Sequence, residues 1–275
     1  MIYILLPAYN EEDALRPLME KIRRVMNESG LKYQVVVVND GSIDGTTDVL
    51  GELVNSHPIK VINNKYNRGL GETIRDGMEY IAEVAKPDDV IVRMDCDDTH
   101  DPKYIPTMIK RINKGYEVVI ASRYAKGGGQ IGVDWYRATI SRIANLIIKF
   151  FFPIRGVKEY TCGFRAYRVS FIQDTIDIFG NRFIDLKGMG FTGTVEKIIK
   201  CKLMGARVTE IPFVLRYDQK KSQSKVVTSI TTLGYLVLIA KYIAFWGDIG
   251  QIWKKKISLR KKAVYQEQGY FEETN

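Results

Sequence analysis

Two aspartates two positions apart, Asp95 and Asp97, follow the apolar run 90–92 almost directly. The apolar run predicts a buried strand, and Pro102 predicts that a helix begins shortly after the acidic segment. Open α/β sheets bind their ligands at the carboxyl ends of strands, which is where these carboxylates would lie. Two carboxylates at this spacing are able to share one divalent cation through hard oxygen ligands. An acidic turn that caps the next helix is the alternative, and the two aspartates alone leave both open.

Polar segments also follow the neighbouring strand-like runs. These segments carry Pro7, Tyr9 and Glu11 after the run 2–6, Val38 and Asp40 at the end of the run 34–38, and Arg123 after the run 117–121. Each segment alone is more often a turn or a helix cap. In the Gly69–Gly71 loop, Ile74 stands where a dinucleotide-binding fingerprint needs glycine, so that fingerprint fails. Together the segments predict one set of functional side chains along one edge of a sheet.

Strand-like and helix-like segments alternate as far as residue 121, which is the pattern of an α/β layer. The strand-like runs are continuously apolar, as expected where both faces of a sheet are covered. We therefore predict an α/β fold with a mostly parallel central sheet flanked by helices. The chain of 275 residues is long enough for one large domain with an appendage.

The excess positive charge lies near the C-terminus. The formal net charge is +9, and six lysines and arginines stand in the segment 254–262, ahead of a more acidic end. This tail, 254–275, predicts contact with an anionic surface such as lipid headgroups. Nucleic acid is not an expected partner, because the basic run lacks interleaved aromatic residues for base stacking. Three cysteines without metal-ligand spacing fit a reduced, cytoplasmic setting, and we expect no signal peptide.

Residues 136–152 are strongly apolar except for a polar stripe. Its members are Arg137, Ser141, Asn145 and Lys149, spaced four apart, so that on a helix they share one face. One interpretation is a core helix with a solvated edge. The other is an amphipathic helix at a membrane interface, with the stripe turned toward an anionic acceptor.

The segment 226–253 contains the most apolar stretch of the chain, residues 226–247. A bilayer span needs about 20 apolar residues, and Lys241 would be costly at depth unless it reaches the interface. A single span, an in-plane anchor and a soluble packing helix all remain open. We favour a membrane-associated C-terminal helix, with the basic tail on the cytoplasmic side.

Five motifs in sequence order resemble those of inverting family 2 glycosyltransferases with the GT-A fold. They are Pro-Ala-Tyr-Asn-Glu, Asn-Asp-Gly-Ser-x-Asp-Gly-Thr, Arg-Gly-Leu-Gly, Asp-Cys-Asp and Ser-Arg-Tyr. The resemblance covers residues 1–225 and is strongest to the dolichol-phosphate and polyprenyl-phosphate mannose or glucose synthases. It implies transfer of a hexose from GDP-mannose or UDP-glucose to a polyprenyl or dolichyl phosphate, with Mg²⁺ or Mn²⁺ as cofactor, at the cytoplasmic face of a membrane.

The resemblance also implies roles for single residues. The donor-binding residues would be Pro7, Tyr9, Glu11, Val38, Asp40, Asp95, Cys96, Asp97, Arg123, Arg216 and Lys225. Asp95 and Asp97 would hold the metal, with Thr99 at the third-ligand position, where the synthases commonly have Gln. Asp97 and Arg123 would take part in catalysis, and Arg137 and Ser141 would receive the acceptor phosphate. The segment between Arg216 and Lys225 is longer than the synthase pattern.

Two other functions are compatible with the same fold. If the acceptor is a sugar hydroxyl on a glycan or glycolipid, the reaction needs a carboxylate base, and Glu159 is the first candidate. The second is a non-catalytic, membrane-associated module that retains the fold. A phosphate acceptor is already an anion near neutral pH and needs no strong base.

Overall fold

A single large sheet positions the acidic segments. The computed structural model describes residues 1–186, 188–220, 228–243, 255 and 257–259. Its strands are β1 (Ile2–Ala8), β2 (Tyr33–Asn39), β3 (Ile59–Asn63), β4 (Val90–Arg93), β5 (Val118–Ser122), β6 (Gly129–Ile131), β7 (Arg165–Arg168), β8 (Val208–Pro212) and β9 (Val214–Arg216). Within those described ranges, seven of them form a sheet in the order β3-β2-β1-β4-β7-β5-β8. The prediction of a mostly parallel sheet is confirmed, since only β7 pairs antiparallel within it.

Helices cover both faces of this sheet. They are α1 (Glu12–Ser29), α2 (Thr46–Leu53), α3 (Leu70–Val84), α4 (Ile105–Asn113), α5 (Trp135–Phe151), α6 (Val169–Phe179), α7 (Thr192–Leu203) and α8 (Thr228–Ile243). Successive β1 residues serve opposite cores: Leu5 packs on the side of α3 and α6, whereas Ile4 and Leu6 pack on the side of α1 and α4. The continuously apolar strands therefore reflect a sheet that is buried on both faces.

The antiparallel strand β7 lies between β4 and β5, with Ala166 opposite both Val92 and Val119. The sequence pattern does not predict this placement, because β7 has only four residues and carries an arginine at each end. Arg165 is nevertheless fully buried. Its guanidinium group donates to the main-chain oxygens of Thr194 and Tyr160, at 2.7 and 2.6 Å, so the buried charge is hydrogen-bonded.

A second, two-stranded sheet joins two loops at the carboxyl edge of the large one. In it β6 and β9 pair in parallel. A short 3₁₀ turn, Tyr217–Gln219, follows β9 and brings Lys220 back over the edge of the large sheet. The main-chain N–H of Arg216 donates to the carbonyl of Thr99 at 3.1 Å, which fixes this segment beside the acidic loop.

The middle of the polar stripe of α5 faces the protein, whereas much of the helix's apolar surface is exposed. Asn145 is buried and bonds to Thr161, whereas Phe150 is 80% exposed and Leu146 66% exposed. Trp135, Tyr136, Ile143 and Ile147 are exposed as well. This exposure does not fit a core helix in which the polar stripe is the solvated edge. An outward apolar face of this size is unusual for a surface helix and indicates a site of association.

The apolar segment 226–253 forms the helix α8 where the structure describes it. Leu238, Ile239 and Tyr242 pack into the core, whereas Leu233 and Leu236 are exposed. Across the described residues, no helix is both long and apolar enough to cross a membrane. The rest of this segment and almost all of the tail 254–275 lie outside the described residues.

Candidate active site

One cavity of about 1220 Å³ runs from the carboxyl ends of β1, β2 and β4 to the groove between α5 and α8. The predicted site residues that line it are Pro7, Tyr9, Glu11, Asp40, Asp95, Cys96, Asp97, Thr99, Arg123, Arg137 and Ser141. They come from segments more than 130 positions apart in the chain. Because the carboxyl ends of the parallel strands meet at one edge of the sheet, most of the side chains that the sequence predicts to be functional lie in one cavity.

The loop after β4 is shaped so that Asp97 and Thr99 act together. Asp98 adopts a left-handed backbone conformation, with φ of 63°, which aspartate tolerates better than most residues. The carboxylate of Asp98 binds Lys21 of α1 at 2.6 Å and anchors the loop. Thr99 donates to Oδ1 of Asp97 from its N–H at 3.2 Å and from its hydroxyl at 2.7 Å. Thr99 thus orients Asp97, and its role as a metal ligand stays a prediction.

His100 is a buried support of the same loop. Its Nδ1 accepts the N–H of Asp95 at 2.9 Å, and its ring stacks on Phe164 with centroids 5.1 Å apart. Burial lowers the pKa of His100, and this outweighs the opposite effect of Asp95 and Asp97. The imidazole is therefore neutral and structural, with no part in proton transfer to be inferred from its position.

Each of the two aspartates is paired with a basic side chain. Arg93, at the end of β4, is fully buried, and its Nη2 donates to Oδ1 of Asp95 at 2.5 Å. A Cβ atom at position 163 would overlap Nη1 of Arg93, so Gly163 leaves the room that the guanidinium group occupies. The sequence carries no signal for Arg93, because this residue stands at the end of an apolar strand run that indicates core.

Lys220 forms an ion pair with Oδ2 of Asp97. The two side chains are 10% and 14% exposed, so the pair is largely shielded from water. Burial would raise the pKa of Asp97, but Lys220 and the hydrogen bond from Thr99 outweigh it and hold this pKa below its usual value. The sequence motifs indicate Arg216 and Lys225 as the basic residues of this segment and do not mark Lys220. The pair is separated by 123 positions in the chain, so it has no local signal.

Asp40 organises the opposite end of the cavity. Its Oδ1 accepts from the side chain of Asn64 at 2.9 Å and from the N–H of Arg68 at 3.0 Å. Its Oδ2 accepts from the N–H of Gly69 at 2.8 Å. Asp40 thus fixes the loop that opens α3. The side chains of Tyr9 and Glu11 line the same end, where we predict the nucleoside.

Arg123 and Glu159 form a buried, two-point ion pair on the other side of the aspartates. Nε and Nη2 of Arg123 donate to the two carboxylate oxygens at 2.7 and 2.9 Å. Burial would raise the pKa of Glu159, but the pairing and hydrogen bonds from Thr161 and Cys162 lower it below its ordinary value. Glu159, the first candidate base for a hydroxyl acceptor, is therefore engaged by Arg123 and is a poor proton acceptor in this geometry.

Ser141 and Arg137 lie next to this pair. The hydroxyl of Ser141 accepts from Nη2 of Arg123 and from the hydroxyl of Tyr124, each at 3.2 Å. Arg137, one helical turn earlier on α5, donates to the hydroxyl of Tyr217 at 3.0 Å. A hydroxyl and two guanidinium groups thus face the part of the cavity between the aspartates and the helices.

From that point the cavity continues as an apolar groove. Its walls are Ile140, Ile143, Ala144, Ile147 and Ile148 of α5 and Thr231, Thr232, Tyr235, Leu236 and Ile239 of α8. The apolar sequence of α8 predicts a membrane-associated helix and does not show that the helix lines the site. Its apolar residues fit either role, so only the packing of α8 against α5 shows the groove.

Two predicted donor-binding residues, Val38 and Arg216, do not line the cavity. Val38 is fully buried in the core between β2 and α3, so its side chain cannot reach a ligand there. Arg216 pairs with Asp218 at 2.8 Å, and its side chain does not line the cavity within the described ranges. Its contact with the donor stays a prediction that requires release from Asp218. Lys225 lies outside the described residues.

No group of three or more His, Cys, Asp or Glu side chains is arranged to hold a metal ion in the part of the chain that the structure describes. The aspartate pair nevertheless suits one kind of metal. Mg²⁺ is commonly held by one or two carboxylates together with substrate phosphates, and Asp95 and Asp97 supply such oxygen ligands at the cavity wall.

The chain matches the family model described as glycosyl transferase family 2 over residues 3–176. It is 32% identical over 257 residues to a dolichol-phosphate mannosyltransferase of Pyrococcus furiosus, covering 93% of this chain and 67% of that protein. It is 28% identical to a polyprenol monophosphomannose synthase of Mycolicibacterium smegmatis, covering 76% of this chain and 75% of that protein.

Solved structures with the same fold are more distant in sequence. Glucosyl-3-phosphoglycerate synthase from Mycobacterium tuberculosis, solved with Mn²⁺, uridine diphosphate and phosphoglyceric acid, superposes with a TM-score of 0.60 at 15% identity. That match covers 88% of this chain and 77% of the other. TarS of S. aureus gives a TM-score of 0.54 at 17% identity, covering 78% of this chain and 60% of the TarS chain.

Proposed function

Because the chain belongs to glycosyltransferase family 2, we propose that it transfers a hexose from a nucleoside diphosphate sugar to a polyprenyl phosphate, with inversion at the sugar carbon. The observation that carries this proposal is the shape of the cavity. It joins a pair of carboxylates at strand ends to a cluster of guanidinium and hydroxyl groups, and then to an apolar groove. An acceptor with a phosphate head and a long apolar tail fits this order of polar and apolar surfaces along the cavity.

The donor would lie along the strand ends, with its nucleoside near Tyr9 and Asp40 and its diphosphate near Asp95 and Asp97. The two aspartates fit Mg²⁺ or Mn²⁺, as their oxygens are the hard ligands that these ions prefer. Such an ion, when bound, neutralises the diphosphate and so stabilises it as a leaving group. Two hydrogen bonds from Thr99 hold the carboxylate of Asp97 in place, and one from Arg93 holds that of Asp95.

The acceptor phosphate would meet Arg123, Ser141 and Arg137. Nη1 of Arg123, whose hydrogen bond to Gln130 is long at 3.4 Å, is the nitrogen most available to a phosphate. Glu159 keeps the guanidinium group in position and retains the negative charge itself. Because the phosphate oxygen is already a nucleophile, the residues need only orient it in line with the bond that breaks and shield it from water.

Membrane attachment follows from the same helices. The groove opens between α5 and α8, and exposed apolar residues such as Phe150 and Leu233 lie on these helices outside the groove. We infer that α5 and α8 rest in the interfacial layer of a membrane, where a polyprenyl chain is available to the groove. The basic segment 254–262 supports attachment to an anionic, cytoplasmic leaflet.

The names of two relatives support mannose as the first sugar to test, and GDP-mannose as its donor. Transfer to a sugar hydroxyl is less favoured, since Glu159, its first candidate base, is committed to Arg123. UDP-glucose is the second donor to test.

The test uses radiolabelled GDP-mannose and UDP-glucose, each with Mg²⁺ or Mn²⁺, and two acceptors. We expect label in the organic phase when polyprenyl phosphate is present. Label transferred to an oligosaccharide or glycolipid hydroxyl, with none on polyprenyl phosphate, would contradict the proposal. Asp97→Asn serves as the inactive control, as it keeps the size of the side chain and removes its charge.

A further inference from the structure

Lys220 occupies a position in the site that the proposed function leaves without a role. Its ammonium group binds Oδ2 of Asp97, while Oδ1 of the same carboxylate accepts two hydrogen bonds from Thr99. A divalent cation held by Asp97 and the ammonium group of Lys220 would therefore compete for the same oxygen atom. Two positive centres cannot both lie within bonding distance of one carboxylate oxygen without strong repulsion.

Negative charge is concentrated around this ammonium group. Besides Asp97, the carboxylates of Glu11 and Asp95 interact with Lys220 electrostatically. Arg93 already balances Asp95. Lys220 is thus a principal counter-ion of Asp97 and Glu11 within the described part of the site, and its removal would leave the acidic end of the cavity more negative.

The segment that carries Lys220 also contacts both ends of the site. The N–H of Arg216 is bonded to Thr99 in the acidic loop, and the hydroxyl of Tyr217 is bonded to Arg137 on the acceptor side. Lys220 follows these two anchors by a few residues, on a flexible stem of four methylene groups. Its ammonium group can therefore change partner while the main chain of the segment stays in place.

We propose that Lys220 exchanges partners when the donor binds. Before binding, its ammonium group is the counter-ion of Asp97. When a divalent cation enters with the nucleotide and takes the Asp97 oxygen, the ammonium group moves to the donor diphosphate. This inference rests on the proposed function, because it assumes a metal-bound nucleoside diphosphate. It assigns to Lys220 a positioning role and makes metal binding weak until the nucleotide supplies a second partner for the lysine.

The exchange predicts opposite effects of one substitution on two affinities. Lys220→Met keeps the length of the side chain and removes its charge. In the absence of nucleotide, we expect Mn²⁺ to bind about tenfold more tightly than to the wild-type protein, since a charge-assisted bond no longer competes. With Mn²⁺ saturating, we expect GDP or UDP to bind about tenfold more weakly, since the diphosphate loses one such bond.

Both affinities are measured on the full chain, Mn²⁺ by the loss of its free-ion electron paramagnetic resonance signal and nucleotide by calorimetry. Lys103→Met is the matched control, because Lys103 pairs with Asp101 at 2.8 Å near the same loop, is 58% exposed and does not line the cavity. It removes the same charge and should leave both affinities unchanged. Lys220→Arg keeps the charge and should lie close to wild type in both.

The outcomes separate this inference from the proposed function. If the wild-type protein binds nucleoside diphosphate with Mn²⁺ but Lys220→Met weakens both affinities, or changes neither, the exchange is refuted and the proposed function stands. If the wild-type protein binds neither Mn²⁺ nor nucleotide, both are refuted. Opposite changes in Lys220→Met, with Lys103→Met unchanged, support the exchange.

Discussion

The buried pair of Arg123 and Glu159 gives the sharpest prediction about the acceptor end of the site. Glu159 is fully buried and accepts five hydrogen bonds, two from Arg123, two from Thr161 and one from Cys162. In Glu159→Gln, one oxygen becomes an NH₂ group, which has to face either a guanidinium group or N–H and O–H donors. The variant therefore leaves a buried arginine without its counter-ion. Breaking a buried ion pair in this way costs about 3–5 kcal/mol.

Urea unfolding followed by circular dichroism measures this loss. Glu52→Gln is the control, because Glu52 also pairs with an arginine, Arg16, but the two side chains are 62% and 50% exposed. An exposed pair contributes only about 0–1 kcal/mol. A loss below about 1 kcal/mol in Glu159→Gln, similar to that of the control, would refute the conclusion that Glu159 holds Arg123 in place.

The pH dependence of the same difference provides a second check. The pKa of Glu159 in the folded protein is below its ordinary value of 4.5, so the unfolded chain binds more protons as the pH falls through that region. The stabilisation is fully present above about pH 4.5 and is lost as the pH falls below it. The stability difference between wild type and Glu159→Gln should shrink accordingly. A difference that grows below this pH would contradict the assigned direction.

Three further substitutions test other parts of the site. Gly163→Ala should lower the free energy of unfolding by about 1–3 kcal/mol, because the added methyl group displaces Arg93. Gly51→Ala in α2 is the control and should not destabilise the protein, because the space around Gly51 is open. Phe150→Ser should lower the affinity for anionic vesicles, measured by co-sedimentation, about tenfold, because it removes an apolar side chain from the interface. Val54→Ser, at the exposed end of α2, is the control and should have no effect. Equal binding by both variants would argue against α5 as the interface. Ser141→Ala should raise the KM for polyprenyl phosphate about three- to tenfold and leave the donor KM unchanged. Thr139→Ala, on the exposed side of α5, is the control. A change confined to the donor KM would contradict the assignment of Ser141 to the acceptor end of the cavity.

The sequence predicts those parts of the molecule that depend on local rules. Continuous apolar runs identify the parallel strands, and the residues just after them, such as Asp40, Asp95 and Asp97, lie together because parallel strands end at one edge. The α5 stripe is also visible, since a period of four residues is a helical signal. The pattern does not reveal which side of the stripe is buried, because an apolar face can meet either a core or a membrane.

Long-range contacts explain most of what the sequence does not predict. Lys220 reaches Asp97 across 123 positions, through a segment held by β9 and by Thr99, and nothing near Lys220 in the chain marks it. β7 is short and charged, and the tertiary hydrogen bonds that Arg165 donates to main-chain oxygens help to hold it in the sheet. The motif around Val38 predicts contact with the donor, but the alternation of β2 turns the Val38 side chain into the core.

The central claim is that one cavity receives both a phosphate and an apolar chain. The most direct measurement compares kcat/KM for three acceptors with the same sugar donor: polyprenyl phosphate, polyprenol without phosphate, and a short alkyl phosphate without the long tail. We predict efficient transfer only to polyprenyl phosphate, since Arg123 and Ser141 require the phosphate and the groove between α5 and α8 requires the tail. Equal transfer to either of the other two acceptors would contradict this account.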